Sequence, residues 1–153
     1  MESSDALRRA ALDVDVSSTI HRDIWYKLWG NMTFNPISAI ARATCDRILD
    51  DDLVRAFVLR VMAEAAEIGR HIGCEIHESG EARLEVARKL GAFKTSMLQD
   101  AEAGRPLEID SIVAAPQEIA GLLGLQTPNL DTLLGLSRLY AGLVRDRISC
   151  PIE

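Results

Sequence analysis

Apolar residues recur along most of the chain at the three- and four-residue spacing of an α-helix. Alternation of apolar and polar residues, the pattern of a half-buried strand, is limited to the short segment 14–16. The longest helical pattern runs from Asp50 to about Ile72 and places apolar side chains on more than one face, as expected of a helix central to a core. We therefore predict an all-α, multi-helical domain of about seven helices.

Capping residues, glycines and prolines predict where these helices begin and end. The polar segment 17–19 can cap a second helix, and Pro36 should interrupt it, so that a new helix follows over about 37–43. Because the residue before a proline avoids the α-helical region, we expect Asn35 to lie at a break with its side chain aimed into a cleft. Later helices are predicted over 82–90, from Thr95 or Ser96 to Gly104, from Asp110 to about 123, and from 129 or 130 to about 147.

Polar side chains occur at regular spacing on the second helix. At about 100° per residue, an apolar stripe is formed by Ile20, Ile24 and Leu28. Lys27 lies near one edge of this stripe, while Asn31 and Asn35 lie inside it. A buried amide without a partner costs about 1–3 kcal/mol, so these groups are either satisfied within the protein or kept for a ligand.

Composition and charge exclude several classes of function. At 153 residues the chain fits one domain, and a net charge of −6 disfavours binding to nucleic acid. No apolar run reaches the roughly 18 residues of a membrane span, and the acidic N-terminal segment is unlike a signal peptide. We therefore predict a cytoplasmic protein without a membrane partner. The three cysteines lack CxxC spacing and are expected to be reduced and buried. No metal site is predicted, because His71, Cys74 and His77 do not share one helical face.

Motifs that bind nucleotides or activate nucleophiles are missing from the sequence. There is no GxGxxG after a strand, no P-loop and no nucleophile elbow. Nothing in the sequence predicts that this chain can hold a dinucleotide by itself.

Two motifs together resemble the C-terminal helical domain of the ketopantoate reductases. They are Lys-Leu-x-x-Asn-x-x-x-Asn-Pro at 27–36 and Ser-Met-x-Gln-Asp-x-x-x-Gly-Arg-x-x-Glu-Ile-Asp at 96–110. The segment 60–64 and the turn 124–129 also resemble that family, so the resemblance covers nearly the whole chain. It implies the fold of the ketopantoate reductase and 6-phosphogluconate dehydrogenase-like C-terminal domains. It also implies that residues 1–153 are one substrate and catalytic domain, without the family's N-terminal dinucleotide-binding domain.

The resemblance also implies roles for particular residues. Lys27 matches the catalytic lysine, Glu108 matches the acid of the site, and the substrate-binding positions are Asn31, Asn35 and Ser96. From composition alone, Glu108 would be a solvated acid and Asp110 a helix N-cap. Segments 40–42 and 106–107 depart from the family's usual residues, which leaves the identity of the substrate open.

The family reduces 2-dehydropantoate to pantoate with NADPH. For this chain the resemblance implies a small 2-keto acid substrate and a homodimer. It also implies that NADPH is bound mainly by the dinucleotide-binding domain. In this chain, Lys27 and Glu108 are the candidate contacts to the cofactor. The chemistry suits a lysine, because hydride delivery to a carbonyl carbon builds negative charge on the oxygen. A nearby ammonium stabilises that charge and can donate a proton.

A second hypothesis is a non-catalytic helical module that mediates dimerisation or another interaction. On the same wheel, three apolar side chains lie outside the stripe, at about 80–140° from Ile24: Trp25, Trp29 and Met32. A helix that is apolar over so much of its circumference is either fully buried or lies at an interface.

Overall fold

The computed structural model describes residues 2–149, with side chains described over 6–146. Within these ranges the chain forms eight α-helices and a π-helical turn, and it contains no strand. The elements are α1 (Glu2–Arg9), α2 (Ile20–Ala41), α3 (Cys45–Asp50), α4 (Asp52–His71), α5 (Gly80–Arg88), α6 (Ser96–Glu102), the π turn (Asp110–Ala114), α7 (Ala115–Leu122) and α8 (Pro128–Ser149). The all-α prediction is confirmed, and no helix in the described part is both long and apolar enough to cross a membrane.

Helices α2 and α4 form the centre of the core. From α4, the buried side chains are Val58, Val61, Met62, Ala65 and Ile68. The indole of Trp29 on α2 donates a hydrogen bond of 2.8 Å to the Met62 carbonyl. The two helices also approach closely at Gly69, where a Cβ atom would lie 2.3 Å from Nε1 of Trp25. Glycine at position 69 therefore makes room for the Trp25 indole.

Helix α2 continues through Pro36, so the predicted break at this proline is wrong. Proline removes the hydrogen bond that the Met32 carbonyl would accept, at a cost of about 3 kcal/mol in a helix interior. All eight residues from 32 to 39 are buried, and this tertiary packing outweighs the loss. The helix ends instead at Ala41, and the next residue, Arg42, adopts a left-handed conformation with φ 53°. Asn35 accordingly lies within a helix.

The face of α2 that points to the core also differs from the prediction. In the first half of the helix, Trp25 and Trp29 are only 5% and 1% exposed, whereas Ile20 and Ile24 are 52% and 56% exposed. The apolar stripe containing Ile20 and Ile24 therefore does not face the core. Of the two outcomes predicted for the tryptophan side, burial within the chain is the one found.

Several predicted helix starts are confirmed. Asp51 caps α4 by accepting from the backbone of Leu53 and Val54, and the hydroxyl of Thr95 caps α6. The prediction that Asp110 is an N-cap is wrong, because no side-chain cap bond is made there and Asp110 begins the π turn. In this turn the amide of Ala115 bonds to the carbonyl of Asp110, since the next residue, Pro116, has no N–H to continue the regular ladder.

The short helix α3 was not predicted. It has only six residues, too few to produce a periodic pattern, although Ile48 and Leu49 are buried. Among the cysteines, Cys45 and Cys74 are free thiols and buried, as predicted, and Cys150 lies outside the described residues.

A carboxylate on α4 caps the start of α8. The carboxylate of Glu64 accepts hydrogen bonds from the backbone amides of Asn129 and Leu130, at 3.0 and 2.8 Å, and from the Asn129 side chain at 2.6 Å. An acidic group at this position satisfies free N–H groups and complements the positive end of the helix dipole. Segments 60–64 and 124–129, which both resemble the family, therefore contact each other.

Candidate functional site

Asn31 and Asn35 line one cleft on the surface of the domain. They lie one turn apart on α2, and the cleft is closed by α5 and by the loop that leads into α6. Its volume is about 120 Å³. Asn35 is only 6% exposed, and Asn31 is half-buried. Asn35 lines this cleft although it lies in a continuous helix and not at the predicted break.

Neither carboxamide has a hydrogen-bond partner in the described part of the chain. No side-chain hydrogen bond of Asn31 or Asn35 is found there, whereas the buried hydroxyl of Thr33 on the same helix bonds to the Gly30 carbonyl at 2.8 Å. An amide in a largely buried position without a partner is costly unless solvent or a ligand reaches it. Of the two alternatives predicted for these amides, hydrogen bonding within the protein is therefore not found in the described residues.

The rest of the cleft is mainly apolar. Besides the two asparagines it is lined by Gly30, Phe34, Cys45, Arg83, Val86, Ala87, Leu90, Phe93 and Thr95. Burial raises the pKa of the Cys45 thiol, and the nearby Asp46 carboxylate adds to the effect. The thiol is therefore neutral at physiological pH and forms part of the apolar wall. A cleft of this kind fits a small molecule with a few polar groups and an apolar portion.

The other predicted site residues are exposed in this chain. Lys27 lies on α2, one turn before Asn31, and makes no hydrogen bond or ion pair with the described residues. Ser96 is the first residue of α6, and Glu108 lies just before the π turn. Helix α2 packs against both α6 and the π turn. No hydrogen bond connects Lys27, Ser96 and Glu108 with one another. The structure thus brings the two asparagines into one cleft, and no hydrogen bond links either of them to these three side chains.

Three polar or reactive residues of the cleft were not predicted as site residues. They are Cys45, Arg83 and Thr95. Thr95 was considered only as a helix cap, a role that its hydroxyl does fill by accepting from Leu98. Arg83 belongs to a helix whose charges read as a solvated face, and no local sequence signal distinguishes it from its neighbours.

Arg83 is held in place by an aromatic contact. Its guanidinium carbon lies 5.0 Å from the centre of the Tyr26 ring, and Nη1 donates to the Tyr26 hydroxyl at 3.3 Å. That hydroxyl in turn donates to the Glu78 carboxylate at 2.6 Å. The hydrogen bond to Glu78 raises the pKa of Tyr26, and burial adds to the effect. The phenol therefore keeps its proton at neutral pH and continues to bridge Glu78 and Arg83.

Comparison with known proteins identifies the family. The family model described as "Ketopantoate reductase PanE/ApbA C terminal" matches residues 19–141. The chain belongs to the ketopantoate reductase family. The family resemblance predicted from the motifs at 27–36 and 96–110 is thereby confirmed. One curated member of the family, the 2-dehydropantoate 2-reductase of Mesorhizobium japonicum, is 41% identical over 138 residues, which is 90% of this chain and 42% of the relative.

Solved structures of the ketopantoate reductase family have the same fold. A crystal structure from Ralstonia solanacearum MolK2, assigned as a ketopantoate reductase, is 58% identical with a TM-score of 0.87 and covers 93% of this chain and 43% of that protein. A dimeric ketopantoate reductase from Staphylococcus aureus is 26% identical with a TM-score of 0.73, over 87% of this chain and 47% of that protein. The chain thus spans less than half the length of each of these three relatives.

Proposed function

We propose that this chain is the substrate-binding and catalytic domain of an NADPH-dependent 2-keto acid reductase, with 2-dehydropantoate as its leading candidate substrate and pantoate as the product. The observation that carries the proposal is the pair of unpartnered carboxamides, Asn31 and Asn35, in one cleft. Their donors and acceptors suit the carbonyl and hydroxyl groups of such a substrate. Membership of the ketopantoate reductase family supports the same reaction.

In the proposed reaction, Lys27 acts at the carbonyl oxygen. Reduced nicotinamide supplies the hydride when it is bound. The ammonium of Lys27, one turn before Asn31, stabilises the negative charge that develops on the oxygen and donates the proton that completes the alcohol. Ser96 contacts the substrate, and Glu108 contacts the substrate or the lysine. These residue roles rest on matching positions in the family motifs.

We propose that NADPH is held mainly by a separate dinucleotide-binding domain. The described residues contain no strand, and so lack the strand, glycine-rich turn and helix that bind a pyrophosphate. Lys27 is exposed, and Ile20 and Ile24 beside it on α2 are more than half exposed. Apolar residues around an unpaired cation suit a surface that a second domain covers, and such closure would enclose the lysine during reduction.

The test is a reductase assay on two proteins: this chain alone, and the same chain joined to the dinucleotide-binding domain of its reading frame. We expect oxidation of NADPH that depends on the 2-keto acid only in the two-domain protein. A panel should include 2-dehydropantoate, α-ketoisovalerate and an aromatic 2-keto acid. If the two-domain protein binds NADPH but oxidises it with none of these acids, the proposed function is wrong.

We also propose that the chain forms a homodimer. Dimerisation is compatible with the catalytic role. Three leucines on α8, Leu136, Leu139 and Leu143, are 49%, 65% and 51% exposed. Their spacing places them along one side of the helix, as in a helix that packs against a partner. A member of the family with this fold is dimeric. Sedimentation velocity should show a dimer that becomes monomeric when Leu139 is replaced by Lys, whereas a monomeric parent chain would contradict this part.

A further inference from the structure

The cleft has polar groups at depth and apolar side chains near its opening. On α2, Asn35 is only 6% exposed and Asn31 is half-buried. From α5 and the loop after it, Val86, Leu90 and Phe93 line the same cleft with 44%, 59% and 47% of their surface exposed. We call these three side chains the rim. A ligand that fills the cleft therefore meets carboxamides inside and apolar surface at the rim.

The loop that carries the rim is fixed by hydrogen bonds of its backbone. Gly91 turns the chain after α5 with a φ of 61°. The Phe93 amide donates to the Gly91 carbonyl at 2.7 Å, and the Phe93 carbonyl accepts from the amide of Cys45, the first residue of α3, at 3.0 Å. The next carbonyl, that of Lys94, accepts from the Gln99 side chain at 3.1 Å. The rim is thus held in place by its backbone, although its side chains are not buried in the core.

The carboxamide of Asn35 indicates that a ligand occupies this cleft. It has no hydrogen-bond partner among the described residues, although the residue is almost fully buried. In the described part of the chain, the only side-chain polar atom that is both fully enclosed and unpartnered is Nε1 of Trp25. The Asn35 amide is therefore not fully enclosed, and a ligand in the cleft that it lines can reach it. Such a ligand would also cover the rim, and burial of apolar surface is favourable.

We propose that Leu90 and Phe93 determine substrate specificity by binding the branched apolar part of the 2-keto acid, with its polar groups towards Asn31 and Asn35. The inference rests on the proposed function and adds to it two specificity-determining residues. In 2-dehydropantoate the branched part is the carbon that carries two methyl groups. The cleft volume of about 120 Å³ suits a compact branched group of this kind.

The test measures ligand binding by the purified chain, so it does not depend on hydride transfer. Two acids with the same polar groups are compared: 2-dehydropantoate, and 4-hydroxy-2-oxobutanoate, which lacks both methyl groups. Each is titrated while the side-chain amide signals of Asn31 and Asn35 are followed by NMR. We expect the wild-type chain to bind 2-dehydropantoate about 10-fold more tightly, as burial of two methyl groups predicts. The double variant Leu90→Ala/Phe93→Ala should lower this preference to about threefold or less, with the affinity for the unmethylated acid changed by no more than about threefold.

Leu122→Ala is the matched control, because it removes the same atoms from a leucine that is 83% exposed and does not line the cleft. This variant should keep the preference of the wild-type chain. Binding of neither acid, equal binding of both by the wild-type chain, or an unchanged preference in the double variant would overturn the inference. If the double variant altered the sedimentation coefficient but not the preference, the rim would be an interface between copies of the chain instead. A reductase assay that succeeds alongside any of these results would leave the proposed function standing, and a failed reductase assay would not alter this measurement.

Discussion

Replacing Trp29 by alanine is expected to lower the free energy of unfolding of the chain by about 3–5 kcal/mol, the usual cost of truncating a large buried aromatic side chain. Trp29 is 1% exposed and packs in the core between α2 and α4. Its removal leaves a cavity and also the Met62 carbonyl without the indole hydrogen bond. Urea denaturation followed by circular dichroism measures the loss. Since domains of this size have only about 5–15 kcal/mol of stability, this loss is a large fraction of the total.

Ile24→Ala is the matched comparison for this prediction. Ile24 lies on the same helix but is 56% exposed, so its truncation should change the free energy of unfolding by no more than about 0.5 kcal/mol. Trp29→Phe, which keeps an aromatic ring but loses the indole N–H, should fall between the two. If Ile24→Ala destabilised the chain as much as Trp29→Ala, the assignment of the core face of α2 would be wrong.

These two residues also mark the limit of what a helical wheel can predict. The wheel located the apolar positions of α2 but could not determine which of two apolar faces meets the core. Ile20, Ile24 and Leu28 repeat every four residues and look like the buried stripe, yet the bulkier indoles fill the space against α4. Shape complementarity between helices decides such cases, and it depends on residues distant in sequence.

Pro36 illustrates a related limit. The local rule predicts a helix end before a proline, and it fails here because residues on both sides of Pro36 are buried against other helices. Where the local signal agreed with the tertiary environment, the predictions were correct. The start of α4 at Asp52, the cap at Thr95 and the end of α6 just before Gly104 are examples.

The candidate site was predictable only along α2. A repeat of four residues on one helix brings Asn31 and Asn35 into one cleft, and this follows from the sequence. Cys45, Arg83 and Thr95 reach the same cleft from other elements, so their convergence depends on the packing of α3, α5 and α6.

Replacing Lys27 by alanine in the two-domain protein is expected to lower kcat/KM by about 10²- to 10⁴-fold, the usual contribution of a positioned proton donor. If the ammonium acts only in the transition state, kcat should fall by the same factor and KM should change little. Steady-state kinetics with the best 2-keto acid of the panel separates the two parameters. Because Lys27 is exposed and has no partner in the described part of the chain, the melting temperature should not change.

Two further variants separate a chemical role for Lys27 from a merely electrostatic one. Lys27→Arg keeps the positive charge but gives up its proton far less readily, so KM should stay near that of the parent protein while most of kcat remains lost. Lys89→Gln removes a lysine that is also exposed and unpaired but lies at the end of α5, and it should leave both parameters within about twofold. Turnover of Lys27→Ala equal to that of the parent protein would exclude Lys27 as the proton donor. Because the cleft is formed without this side chain, the two asparagines would then remain candidates for substrate recognition. The proton would have to come from another group.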